Sequence, residues 1–332
     1  MSGSSRTGIL KQFAATGPEA RGFALLPAGV IVAGAIGLCF VVSNYWLFQL
    51  TLVVAVATAV LGLNIVTGYS GQISLGHGAF YAIGAYVTAI LMSDPFDFPY
   101  WATLPASAVV CGCFGFLVGF PALRLEGLYL ALTTFALAVA VPQLLKADFL
   151  SDWTGGVQGL TILKPDPPAG LPLSADQWLY LFTLVVAAAL FMAARNLLRG
   201  RMGRAMVAVR DHPVAAEAMG VNVALVKTGA FAVSALYTGV AGSLAAIAVQ
   251  FVAPDSFPVL LSIELFVGLV VGGVGTVSGA VFGGLFVVIV PQWAQAVSKA
   301  APGAIYGGLL IAVIFLMPFG VAGMLRRKRP SP

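Results

Sequence analysis

The stretch Gly68–Tyr86, GYSGQISLGHGAFYAIGAY, sets Tyr69, Ser70, Gln72, Ser74 and His77 among five glycines in otherwise apolar surroundings. Gly71, Gly76 and Gly78 weaken a continuous helix. Backbone groups freed by a broken helix are tolerated at membrane depth only where protein or a water-filled cavity satisfies them. Half-helix ends also offer N–H groups to a carboxylate. Gly68, Tyr69, Ser70, Gly71, Gln72, Ser74 and His77 are therefore candidates for the wall of a translocation pathway. The competing reading is close packing through Gly78, Ala82, Gly84 and Ala85, with His77 a hydrogen-bonded packing histidine. Two further polar outliers join the pathway candidates. Glu264 is an acid inside SIELFVGLVVGG, and an ionisable residue in a span is a functional candidate by default. Thr134 could line a polar strip or, like Thr133, bond back to its own helix.

None of these residues forms a catalytic set. The chain has no G-x-x-x-x-G-K-[ST], no nucleophile elbow and no H-E-x-x-H. Its two histidines and three cysteines (Cys39, Cys111, Cys113) suggest neither a metal site nor a disulfide framework. Any ATP used in transport must be bound by another chain, and no cofactor is expected in this one.

The elements that would position such residues are membrane spans. The chain of 332 residues is 60% hydrophobic and 9% charged, against about 25% charged in soluble domains. That composition predicts an all-α, polytopic transmembrane helical bundle embedded in lipid. The net charge of +5 follows from basic loops and does not imply nucleic acid. Spans of about 20 residues are expected at Phe23–Ser43, Trp46–Val66, Ile73–Met92, Tyr100–Phe120, Leu128–Leu145, Trp178–Ala194, Thr228–Val249 and Gly303–Val321. Two more fall within Ser256–Ala296, giving about ten. Eight spans plus a re-entrant hairpin interrupted at Gly272–Gly279 is the alternative. Gly68–Ser74 and Gly272–Ser278 share the pattern G-x-x-G-x-[IV]-S, a candidate internal repeat of the kind transporters use.

The expected organisation is a cytoplasmic tail over 1–22, a permease domain over 23–322 and a basic cytoplasmic tail over 323–332. Within the permease domain an outer loop covers 146–177 and a cytoplasmic loop covers 195–227. Basic residues beside spans are retained in the cytoplasm, which places both termini there. The cytoplasmic loop reads as folded. Asp211 can cap a short helix with Pro213 in its first turn, and Gly220 can end it in a left-handed cap. A capped amphipathic helix is a docking element; a solvated linker is the alternative.

Five stretches together resemble the permeases of bacterial branched-chain amino acid ABC transporters, in particular the M-type member of the pair. They are GYSGQISLGHGAFYAIGAY, GLYLALTTFALA, TGGVQGL, GRAMVAVRDHPVAAEAMGVNVALVK and SIELFVGLVVGGVGTVSGAVFGG. The resemblance implies a second, H-type permease, two cytoplasmic ATPases and a periplasmic binding protein as partners, in the bacterial inner membrane. It implies ATPase coupling through Arg204, Arg210, Asp211, Glu217 and Gly220, the last two within an E-A-A-type loop. Leucine, isoleucine or valine is the cargo it implies, although similar permeases serve urea, short amides or other amino acids. An ion-coupled secondary transporter is the rival class, and a lipid-directed membrane enzyme the third.

Overall fold

A computed structural model describes residues 34–123, 125, 127–168, 172–299, 301–317 and 319–327. The tail expected over 1–22, most of the first expected span and the end of the basic tail lie outside these residues. The chain divides into two compact units, Met1–Leu47 and Phe48–Pro332; the helix over 34–41 and the first residues of the helix that starts at Asn44 lie in the first, and the packing and sites described below lie in the second.

Residues 34–41 are helical. After them come α1 (Asn44–Asn64), which runs on through a π-turn at Ile65–Tyr69, then α2 (His77–Met92), α3 (Tyr100–Ala122), α4 (Leu128–Leu145) and α5 (Asp148–Thr154). They are followed by α6 (Ala175–Arg199), α7 (Arg201–Asp211), α8 (Pro213–Ala218), α9 (Val223–Val249), α10 (Val259–Gly272), α11 (Gly279–Val297), α12 (Pro302–Leu316) and α13 (Gly320–Arg327). Two-residue strands β1 (Leu160–Thr161) and β2 (Phe251–Val252) pair antiparallel. Among the described residues eight helices are long and apolar enough to cross a membrane. The helix α2, with 16 residues, is about 24 Å long, short of a hydrocarbon core of about 30 Å.

Ser256–Ala296 forms two such helices, α10 with its leading 3₁₀ turn and α11, joined through Gly273–Ser278. The expected span Ile73–Met92 is shorter than expected, because the helix starts only at His77. The last expected span, Gly303–Val321, is interrupted: α12 ends at Leu316 and α13 begins at Gly320.

The core is built around α9, which packs against α2 and α3. The apolar stretches of α1 and α9 are 78% buried, against 17% for α6 and 6% for the segment Pro302–Met324, so α1 and α9 belong to the interior. Close approach depends on missing side chains. A Cβ on Gly84 would lie 2.0 Å from the Gly239 carbonyl oxygen, and one on Gly242 2.0 Å from that of Tyr81. The packing reading of Gly84 is therefore right, and Gly78 belongs to the same class, its Cβ position lying 2.5 Å from Ser262 Oγ. Cys111 likewise packs against the Gly239 backbone position.

The 25-residue α6 spans about 37 Å and separates two ends of the bundle. At one end lie α5, the β1–β2 pair and the Lys146–Asp255 ion pair (2.6 Å). A capping box starts α6 there, with Ser174 Oγ accepting from the Gln177 N–H. The other end carries α7, α8 and the arginines at 199, 201, 204 and 210.

Gly84→Val should destabilise the purified protein by the cost of overpacking, about 1–3 kcal/mol, and so lower its melting temperature. A thermal melt in mild detergent checks this; an unchanged midpoint would contradict the close-packed α2–α9 seam.

Candidate functional site

The chain leaves helix after Tyr69 and resumes it at His77. Ser70–Leu75 alternates in burial. Ser70, Gln72 and Ser74 are buried, Gly71 and Ile73 are exposed, and Leu75 is half-buried. The polar side chains thus turn into the protein and the surface of the break is apolar. Gly71 takes φ +74°, a conformation that favours glycine.

Each inward side chain has a structural partner. Gln72 Nε2 donates to Ser70 Oγ (2.9 Å) and to the carbonyl of Lys227 at the start of α9 (3.1 Å). Thr134 Oγ1 accepts from the Leu75 N–H (3.0 Å) while donating back to its own helix at Leu130 or Ala131 (each 3.0 Å). Of the two expected uses of Thr134 the structure shows the bond back to its own helix, and the same hydroxyl also caps the break. Ser262 Oγ accepts from the Gly78 N–H (2.9 Å). The N–H groups expected to be open to a carboxylate at the start of α2 include several already satisfied by hydroxyls.

His77 joins the break to α9. Ser234 Oγ donates to the Gly62 carbonyl (2.7 Å), so at 2.5 Å it accepts from His77 Nε2–H. His77 Nδ1 is then the acceptor for Ser74 Oγ–H (3.0 Å). A serine–histidine contact resembles half of a nucleophilic dyad. Here the serine gives its proton to a backbone carbonyl and both residues are fully buried, so the pair acts as a brace. The packing-histidine reading fits this geometry.

The second broken segment meets the first through Asn64. Its Nδ2 donates to the Thr276 carbonyl (2.8 Å), and its Oδ1 accepts from the Gly275 N–H (2.8 Å). A Cβ on Gly68 would lie 2.6 Å from the Gly275 nitrogen. Gly71 and Gly275 occupy the same place in the shared G-x-x-G pattern, and both have φ +74°. The two segments therefore share a sequence pattern and a left-handed glycine at its fourth position, and they lie against each other. The sequence reading missed Asn64, Ser234 and Ser262; the one visible signal was a lone Asn in an apolar run.

Arg210 connects this site to the basic end. Its Nη1 donates to the Gly68 carbonyl (2.7 Å) and its Nε to Asp211 Oδ1 (2.9 Å). The methylene stem covers Gly71, whose Cβ position lies 2.5 Å from Arg210 Cγ. Asp211 does not cap α8 as expected. It is the last residue of α7, and the N-cap position belongs to His212, without a side-chain bond. The neighbouring guanidinium takes its carboxylate instead and holds it below the usual Asp range. Pro213 occupies the first turn as expected. Gly220 (φ +83°) ends α8 in a Schellman motif: Gly220 N–H donates to the Glu217 carbonyl (2.9 Å) and Val221 N–H to that of Ala216 (3.0 Å).

On α8 only Ala216 is buried, and Glu217 is exposed. Val214 and Met219 are 81% and 85% exposed, apolar knobs that the sequence reading did not single out. Arg204 is exposed too, with Nη1 3.3 Å from the Arg199 carbonyl. Glu264 stays apart from the break. It lies two residues, or about 200° of helix, beyond Ser262, is half-buried, and is in electrostatic reach of the Tyr306 hydroxyl on α12. Tyr69 is half-buried at the rim of the break. At the opposite end, Phe96 stacks on Trp153 (5.8 Å) beside a cavity of about 350 Å³ that Asp94 and Asp152 also line.

Residues 45–317 match the family described as branched-chain amino acid transport system / permease component. The chain is 31% identical over 289 residues to the high-affinity branched-chain amino acid transport system permease protein LivM of Escherichia coli K12, covering 80% of this chain and 67% of that protein. It is 27% identical over 298 residues to LivH of the same organism, covering 80% and 91%. It is 24% identical over 294 residues to BraD of Pseudomonas aeruginosa, again covering 80% and 91%. No solved structure matches.

Replacing Asn64 tests the junction of the two breaks. Asn64→Ala leaves the half-buried Gly275 N–H and the buried Thr276 C=O unpaired, at up to about 1–3 kcal/mol each. Asn64→Asp should be worse, because a carboxylate oxygen then faces the Thr276 carbonyl. Melting midpoints in detergent should fall in the order wild type, Ala, Asp; equal midpoints would contradict the junction.

Proposed function

The chain belongs to the branched-chain amino acid transport system permease family, and on that premise we propose that it is the M-type half of an ATP-driven importer pore. Its partners would be an H-type permease, two cytoplasmic ATPases and a periplasmic binding protein. ATP would bind only to the ATPase chains, with no cofactor here. The named functions of LivM, LivH and BraD support branched-chain amino acids as cargo. The apolar surface of the break, formed by Ile73 and Leu75, agrees with a path for aliphatic side chains. Glu264 stays a pathway candidate whose place would be along α10.

The location is the bacterial inner membrane, with 23–322 as the permease domain. The arginines at 199, 201, 204 and 210 support a cytoplasmic place for their end, and the proposal puts both tails, 1–22 and 323–332, on that side. The opposite end, with the Phe96–Trp153 stack, would receive the binding protein.

The observation that carries the ATPase partnership is α8: a six-residue helix, closed by Pro213 and Gly220, that exposes Val214, Glu217 and Met219. A solvated linker has no use for two large apolar side chains held outward on a closed helix. Arg204 lies exposed on the preceding helix and would flank the contact.

Glu217→Lys should reduce recovery of the ATPases in a mild-detergent pull-down by roughly tenfold or more, as charge reversal at an interface does, and abolish uptake, with the protein still in the membrane. ATPase recovery and uptake at wild-type levels would overturn the docking role of α8.

A further inference from the structure

The guanidinium of Arg210 faces its own chain. One donor reaches the Gly68 carbonyl at 2.7 Å, another reaches Asp211, and its stem closes over Gly71. Arg210 is the penultimate residue of α7, three positions before α8 begins. It therefore stands between the helix that would meet an ATPase and the point where α1 breaks. A second tie lies beyond α8, where Gln72 Nε2 holds the Lys227 carbonyl. The break is thus gripped on both sides of the segment that carries α8.

We propose that Arg210 is a positioning residue that transmits movement of α7 and α8 to the Gly68–Gly76 break, and is not itself an ATPase contact. A carbonyl at the end of a helical segment carries partial negative charge, and a charged, fork-shaped donor is a directional partner for it. Displacing α8 pulls on Arg210, and Arg210 pulls on the backbone of the break. Asn64 then carries that displacement to the Gly272–Ser278 segment.

The inference rests on the importer reading above. Its test uses the complete complex with both permeases and both ATPases in proteoliposomes, with radiolabelled leucine outside and the binding protein present. Leucine moved per ATP hydrolysed is the readout. Arg210→Ala should leave ATPase recovery in a pull-down unchanged and ATP hydrolysis within about twofold of wild type, while leucine per ATP falls tenfold or more. Arg210→Lys, which keeps a donor for Gly68, should recover part of the loss. If the Ala variant does not reach the membrane, Arg210→Met, which keeps the stem over Gly71 and removes the donor, decides, and a wild-type ratio in it overturns the proposal. Loss of ATPase recovery in Arg210→Ala also overturns it, since Arg210 would then be a docking contact. A wild-type complex that moves no leucine on ATP overturns the importer reading and the inference with it. Wild-type transport with equal ratios in all three proteins overturns the inference alone.

Discussion

The requirement on which this structure turns is that backbone groups freed inside an apolar bundle must be paired by protein. The chain is not helical over Ser70–Gly76, and partners for the groups freed there and at its edges come from far along the sequence. Arg210 takes the Gly68 carbonyl, Thr134 the Leu75 N–H and Ser262 the Gly78 N–H. Gln72 bonds the Lys227 carbonyl, and His77 braces Ser234. The position of the break is thus set jointly by α4, α7, α9 and α10. Leaving any of these groups unpaired inside the protein costs more than keeping its partner. A displacement of one of those helices therefore carries the break with it.

The second constraint is the contact between the two broken segments. Two stretches of the same pattern, about 200 residues apart, each bend at a left-handed glycine and meet at Asn64. Gly-broken segments in corresponding positions of two repeats are a recognised way to build a transport path. In this chain their polar atoms are spent on each other and on the surrounding helices. The surface they leave, at Ile73 and Leu75, is apolar.

Much of this was legible from residue types. Apolar length located the helices, and the crowding of Gly with Ser and Gln marked the first break. Pro213 and Gly220 marked the limits of α8, because each permits a backbone geometry that few residues do. The direction of side chains was not legible. Ser70, Gln72 and Ser74 look like pathway groups, and only the alternation of an extended segment turns them inward. Asp211 looked like a helix cap, but Arg210 beside it offers a charged donor and outcompetes a backbone N–H. Asn64, Ser234 and Ser262 act through contacts across more than 150 residues, and one sequence holds no trace of such pairings. The β1–β2 pair is two residues long, too short for any period to announce it.

The central claim is that α8 and the break move as one body. Spin labels at Met219→Cys and Ile73→Cys report the distance within that body. Labels at Ile73→Cys and Val157→Cys report its distance to the opposite end. Both pairs are made with Cys113, the exposed native thiol among the described cysteines, replaced by Ser. Pulsed electron resonance on the assembled complex, with and without ATP, then gives both distributions. The account predicts that ATP shifts the Ile73–Val157 distribution and leaves that of Met219–Ile73 unchanged. A shift between Met219 and Ile73, with Ile73–Val157 fixed, would show that α8 moves without the break and would contradict it.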